Sequence, residues 1–247
     1  MDEKIHIFLK GYTERLIEKG KCLPGIGLWD GKMGIAIYLF HLARITQNEK
    51  YKDEASELID AVYEELSLDI PLTFDNGLLG VGCGFEYIIS KGFVEAVSDV
   101  ILFEIDLLIR NIIDSRPLGN LSFDKGVCGV GYYLYHRLKN RPDDGDGMVV
   151  LKLKEYLIYL IDWMEELIQK TTDKQEYNDA YFLLARLHKL NVFNHKVEKL
   201  LAICSRKIID FNCPITDNYE LLGIDSLKLK IPFFVTIFTN LLRVTPP

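Results

Sequence analysis

Apolar positions along the chain recur at helical spacing in two alternating styles. Between Tyr51 and Ser67, the residues Ala55, Leu58, Ile59, Val62 and Leu66 fall on one helical stripe, while Lys52, Asp53, Glu54, Glu57, Asp60, Glu64 and Glu65 cover the rest. That pattern predicts a helix with one face in solvent. Met33 to Ala43, by contrast, is apolar almost all round, as in a helix enclosed by neighbours. The same contrast separates Gly77–Ser90 from Val97–Ile113, and Gly126–Leu138 from Val149–Lys170. One-faced helices predict an outer layer and enclosed helices an inner one.

The enclosed helices open on a repeated motif. Three segments align without gaps: Asp30-Gly31-Lys32-Met33-Gly34-Ile35-Ala36, Asn76-Gly77-Leu78-Leu79-Gly80-Val81-Gly82 and Lys125-Gly126-Val127-Cys128-Gly129-Val130-Gly131. Their first glycines stand 46 and 49 residues apart, a period that fits two helices of about four turns plus two connections. Each repeat is therefore expected to be a helical hairpin. The paired glycines are expected to share a face and admit a neighbouring backbone closely. A helix over Asp2–Lys19 supplies the outer partner of the first motif. Asn140 to Gly147 is a loop by composition. A fourth enclosed helix over Glu176–Leu190 lacks the glycines, and Tyr219 to Leu227 keeps only the second one. The prediction is an all-α domain spanning 1–247: an α/α toroid of about five hairpins, clear over 28–140 and degenerate over 149–247. The weak last repeats leave open whether the ring is complete.

Composition narrows the function classes. The 247 residues are 49% hydrophobic and 26% charged with a net charge of -7, a globular balance with no basic footprint for nucleic acid or an anionic membrane. Five cysteines, with no Cys-x-x-Cys spacing, suit reduced thiols and a cytoplasmic location. The start of the chain lacks the basic and apolar regions of a secretory signal. The longest apolar stretch, Ile231 to Leu242, is interrupted by polar residues and falls short of the roughly 20 residues a membrane span needs.

The three glycine motifs, each opening an apolar helix after an amphipathic one, resemble the repeats of the lanthionine synthetase C-like (LanC-like) family. The likeness is strongest over Phe74 to Glu95 and returns over Leu121 to Leu134. The resemblance implies two concentric helix rings with the glycine loops gathered at one rim. It also implies, for the catalytic cyclases, a zinc ion held there by two cysteines and one histidine. That zinc activates a peptide cysteine for addition to a dehydrated Ser or Thr. The ligand slots lie one and two residues before the first motif glycine, and here they hold Trp29-Asp30, Asp75-Asn76 and Asp124-Lys125. None of the five histidines follows a cysteine, and these groups do not make a thiolate-rich tetrahedral site. No metal and no other cofactor is expected.

Each motif is preceded by an aromatic residue and an acid: Trp29-Asp30, Phe74-Asp75 and Phe123-Asp124. An Asp ahead of an inner helix is a favourable N-cap. The alternative is that Asp30, Asp75 and Asp124 converge on the rim, where a proton-sharing pair could serve as general acid and base, with Glu86 a further candidate. Trp29, Phe74, Asn76, Phe123, Lys125, Tyr87 and Tyr132 are the candidate ligand-binding residues. Glu86, Tyr87, Tyr132, Tyr133 and His136, one or more turns into the inner helices, either line a cavity or pair with one another. Gly80-x-Gly82-x-Gly84 lacks the spacing of a dinucleotide fingerprint, Asp144-Gly145-Asp146 lacks the calcium-loop ligands that should follow it, and Cys83 and Cys128 read as inert core thiols. The leading expectation is a LanC-like protein without the cyclase site that binds a peptide or small molecule, as an accessory to a peptide-modifying enzyme. The alternative is a metal-independent carbohydrate-active hydrolase or lyase that uses the rim carboxylates.

Overall fold

The enclosed and one-faced segments become helices close to the predicted bounds in the structure, a computed structural model that describes residues 3–139, 141 and 147–210. The helices are α1 (Glu3–Cys22), α2 (Lys32–Thr46), α3 (Glu49–Glu64), α4 (Leu78–Ser90), α5 (Ser98–Ile101), α6 (Phe103–Ser115), α7 (Val127–Lys139), α8 (Gly147–Lys170), α9 (Lys174–Leu187) and α10 (Asn194–Asp210). A 3-10 turn, His188–Leu190, follows α9. No strand occurs among the described residues. The expected motif at Tyr219–Leu227, the apolar stretch Ile231–Leu242 and most of the 140–147 loop lie outside them.

Packing sorts the helices into two layers. The inner row runs α2, α4, α7, α9, each packed on the next. Residues Leu78 to Glu86 of α4 and Val127 to Leu134 of α7 are buried without a break, as an enclosed helix requires. The outer helices bury single stripes: Ala55, Leu58, Ile59 and Val62 on α3, and Ile105, Ile109 and Ile113 on α6. Helix α8 packs on α6 and α7 and continues to α10. Four outer–inner hairpins, followed by the outer-type helix α10, account for the described residues.

Two sequence expectations need adjustment here. The third outer segment, expected as one helix over Val97–Ile113, is broken at Leu102, where the backbone leaves the helical region (φ -98°, ψ 7°). The fourth inner segment tightens into a 3-10 turn at His188 rather than staying α-helical to Leu190.

The glycines do a different job from the one expected. A Cβ at Gly34, Gly80 or Gly129 would collide with the carbonyl of Leu28, Phe74 or Phe123, each six residues earlier in the same repeat. The backbone admitted by the motif is thus the preceding loop, folded down on the first helical turn, and not a neighbouring inner helix. Contact between inner helices falls on later glycines. Gly82 receives the Tyr133 ring from α7, Gly84 receives Met33 from α2, and Gly131 receives Leu183 from α9.

Candidate functional site

Folding each loop onto its own helix brings the pre-helix residues of successive repeats side by side at one end of the inner row. There they bond to each other. The Leu28 and Trp29 amides donate to the Asp75 carbonyl, both at 3.0 Å, and the Phe74 amide donates to the Asp124 carbonyl at 3.0 Å. In the fourth repeat the acceptor changes from backbone to side chain. The Phe123 amide donates to Asp179 Oδ2 at 2.9 Å and the Leu121 amide to Glu176 Oε2 at 3.2 Å. Each repeat thereby holds the next by the same edge, and the inner helices run parallel with their N-termini at this rim.

Asp30 and Asp75 do not cap their helices as expected. The N-caps of α2 and α4 are Gly31 and Gly77, which make no side-chain cap hydrogen bond. Rim side chains accept from loop amides instead, two of the bonds crossing between repeats. Asp124 Oδ1 accepts the Asp75 amide at 3.2 Å, Asp75 Oδ1 accepts the Asn76 amide at 2.7 Å, and Asn76 Oδ1 accepts the Asp30 amide at 3.1 Å. Side-chain capping occurs elsewhere, from Asn48 on α3 and Asp173 on α9.

Of the three acids, Asp75 and Asp124 come together. Partial burial, then the adjacent Asp75 carboxyl, raises the Asp124 carboxyl above its ordinary pKa. A neighbouring carboxylate disfavours the second negative charge. Asp30 is exposed and joins them through its backbone. Asp179, a rim acid that the sequence reading passed over, is also raised, by burial. Its repeat has lost the glycines, so no motif marked the position.

The aromatic candidates divide between rim and core. Phe74 is 3% exposed and packs edge-on against Phe123, with ring centroids 4.6 Å apart. Both touch Tyr132, at 5.5 and 5.0 Å, and Phe182 of α9 completes the group against Phe123. Trp29 and Phe123 are half-buried, while Asn76 and Lys125 are exposed. Tyr87 lies farther down, its hydroxyl 2.6 Å from His41 Nε2.

Glu86 and Tyr133 belong to neither group. Arg137, whose side chain is fully buried, pairs with Glu86, with Asp99 at 2.8 Å and with Asp106 at 2.6 Å. Tyr133 donates to Asp106 at 2.7 Å. Burial still lifts the Glu86 carboxyl above its usual range against the pull of Arg137. The cluster joins α4, α5, α6 and α7.

The donor set does not suit the zinc ion of the cyclases. The slots before Gly31, Gly77 and Gly126 carry an indole, carboxylates, an amide and an ammonium, not thiolates and imidazole. Cys83, Cys128 and Cys204 are buried and free, and burial pushes all three thiols up, Cys204 to about 12. No group of three His, Cys, Asp or Glu side chains gathers as a metal cage among the described residues.

No helix among the described residues is long and apolar enough to cross a membrane. No curated protein matches the chain significantly. The family model for lanthionine synthetase C-like proteins matches residues 25–185, from the loop before the first glycine motif to the end of the fourth hairpin. With its parallel inner helices, glycine-closed loops and single stitched rim, the chain belongs to the lanthionine synthetase C-like family.

Proposed function

We propose that the chain binds a peptide or a small molecule at the loop rim without zinc-dependent cyclase chemistry, and that it serves in the cytoplasm as an accessory to a peptide-modifying enzyme. One observation carries the proposal. The rim loops lie within the stretch that the family model matches, while the positions before their glycines carry Trp29-Asp30, Asp75-Asn76 and Asp124-Lys125. Half-buried aromatic rings beside exposed carboxylate and amide groups provide apolar contact and fixed hydrogen-bond direction for a peptide backbone.

The test uses a peptide containing one cysteine and one dehydroalanine. The expected result is saturable binding that quenches Trp29 emission, with the peptide thiol still open to alkylation after incubation. Trp29→Phe retains binding and loses most of the quenching. Stoichiometric zinc retained through dialysis, and lost on Cys83→Ala or Cys128→Ala, would overturn the proposal, as would loss of the peptide thiol to a thioether.

A second reading rests on the Asp75–Asp124 contact. Adjacent carboxyls, one with a raised pKa, are the ingredients of general acid–base hydrolysis or elimination. With an oligosaccharide panel as substrate, Asp124→Asn would cost about 10²-fold or more in turnover with folding intact. An absence of turnover by the wild-type chain rejects this reading and leaves the binding proposal standing.

A further inference from the structure

At the end of the inner row opposite the rim, the repeat places a second set of chemically matched residues. Thirteen or fourteen residues after each helix cap stand Arg44, Lys91, Lys139 and Arg186. Every one of these cations lies over an aromatic ring. Arg44 is 4.0 Å from the Phe93 centroid, Lys91 5.9 Å from Tyr87, Lys139 5.4 Å from Tyr135 and Arg186 3.5 Å from Phe182. Arg44 reaches the Lys91 carbonyl, and Lys139 and Arg186 lie over Tyr135 and Tyr132, whose ring centroids are 6.0 Å apart; Lys91 and Arg186 both act electrostatically on Lys139.

This concentration runs against the charge of the chain as a whole, which is -7. The enclosed cations Lys32, Arg137 and Lys196 are matched by acids, Lys32 by Glu65, Arg137 by Glu86, Asp99 and Asp106, and Lys196 by Asp162 and Glu165, whereas Arg44, Lys91 and Lys139 are exposed. Arg44, Lys91 and Lys139 have no carboxylate within ion-pair distance among the described residues. Arg44 donates to the Lys91 carbonyl at 2.7 Å, so part of its role is to cap α4. Helix-dipole complementarity favours cations at these ends, but it does not require four of them to be gathered on one face, where they repel.

A second observation lies one turn deeper. Ten residues after the glycine Gly126, the α7 helix carries His136, half-buried, whose enclosed Nε2 has no hydrogen-bond partner among the described residues. A buried imidazole nitrogen without a partner is costly, and here it lies between Tyr132, Tyr135 and the cations.

We propose that this face, lined by Arg44, Lys91, Lys139 and Arg186 with His136 at its floor, is a binding site for a small phosphate-class polyanion. A phosphate group carries close to two charges near neutral pH and three strong acceptor oxygens, so two linked groups match four cations better than a single carboxylate does. Guanidinium groups suit such oxygens by their fork geometry and lysines as point charges. Burial and the neighbouring cations depress the Lys139 ammonium, the kind of strain that a bound anion removes.

The full chain is titrated calorimetrically with sodium pyrophosphate, with sodium citrate as the polycarboxylate comparison. The expected result is saturable pyrophosphate binding that weakens with salt, raises the thermal midpoint and exceeds citrate binding at least tenfold. Lys91→Met and Lys139→Met, both at exposed helix ends, each weaken it tenfold or more, while Lys154→Met on the outer helix α8 has no effect. The proposal is overturned by an absence of saturable binding, by equal affinity in the two inner-face variants, or by citrate binding as tightly as pyrophosphate.

Discussion

At Gly80 a single hydrogen decides whether the loop before α4 can lie on its helix, because a methyl group there meets the Phe74 carbonyl and crowds Leu28. Backbone on backbone cannot yield as a flexible side chain can, so Gly80→Ala is expected to cost about 2 kcal/mol or more. The check is the urea midpoint against Gly11→Ala. Gly11 lies inside α1, where an added methyl meets nothing within 4 Å, so that change should be neutral or stabilising by up to about 1 kcal/mol. The motif glycines were plain in the sequence, but what they admit was not. The spacing of two glycines shows a shared helical face and says nothing of which backbone lies against it. Asp30, Asp75 and Asp124 teach the same lesson, since their places before the helices were legible while their bonding across repeats depended on loops about 46 to 50 residues away.

Among the elements, the broken outer segment α5–α6 owes its position to α7. Arg137 reaches from α7 to Asp99 on α5 and Asp106 on α6, and takes Glu86 of α4 as well, so four helices meet at one guanidinium. Removing it strands several carboxylates in a buried setting. Arg137→Met is expected to cost about 3–5 kcal/mol, measured by chemical denaturation. Adding Glu86→Gln recovers part of that loss, and a double-mutant cycle that returns no coupling between the two positions would contradict the geometry. From the sequence Glu86 was visible as a polar residue in an apolar helix. Its partner was 51 residues away, beyond any local periodicity.

Over the whole molecule, the inner face imposes a pH dependence on folding. Burial first, then nearby cations, depresses His41 to about 4 and His136 to about 3, whereas both titrate near 6.5 when unfolded. Between those values the unfolded chain binds protons that the folded chain does not, so stability is full above about pH 6.5 and is lost as pH falls toward 4 and then 3. Discounting His41 for its partial exposure, the combined loss is a few kcal/mol, on the order of 3 to 5. The raised carboxyls of Glu86, Asp124 and Asp179 act in the opposite sense, stabilising the fold at low pH and losing that contribution as pH rises through their folded values. Thermal midpoints recorded from pH 7 to 4 should fall, and His136→Phe should flatten the decline. An unchanged slope in that variant would assign the proton uptake to other groups.

The sequence by itself determined the helical class, the alternation of enclosed and one-faced helices, the repeat length and the family, because each is written in local composition and periodicity that survive without neighbours. Tertiary structure alone decided which groups meet. The Asp75–Asp124 pair, the entry of Asp179 as the fourth rim acceptor, the engagement of Glu86 by Arg137 and the gathering of Arg44, Lys91, Lys139 and Arg186 all join residues from different repeats. Such meetings depend on how parallel helices register side by side, and that register comes from the loop-to-loop hydrogen bonds of the rim, whose donors are backbone amides common to every residue type and whose partners lie about 46 to 56 residues away.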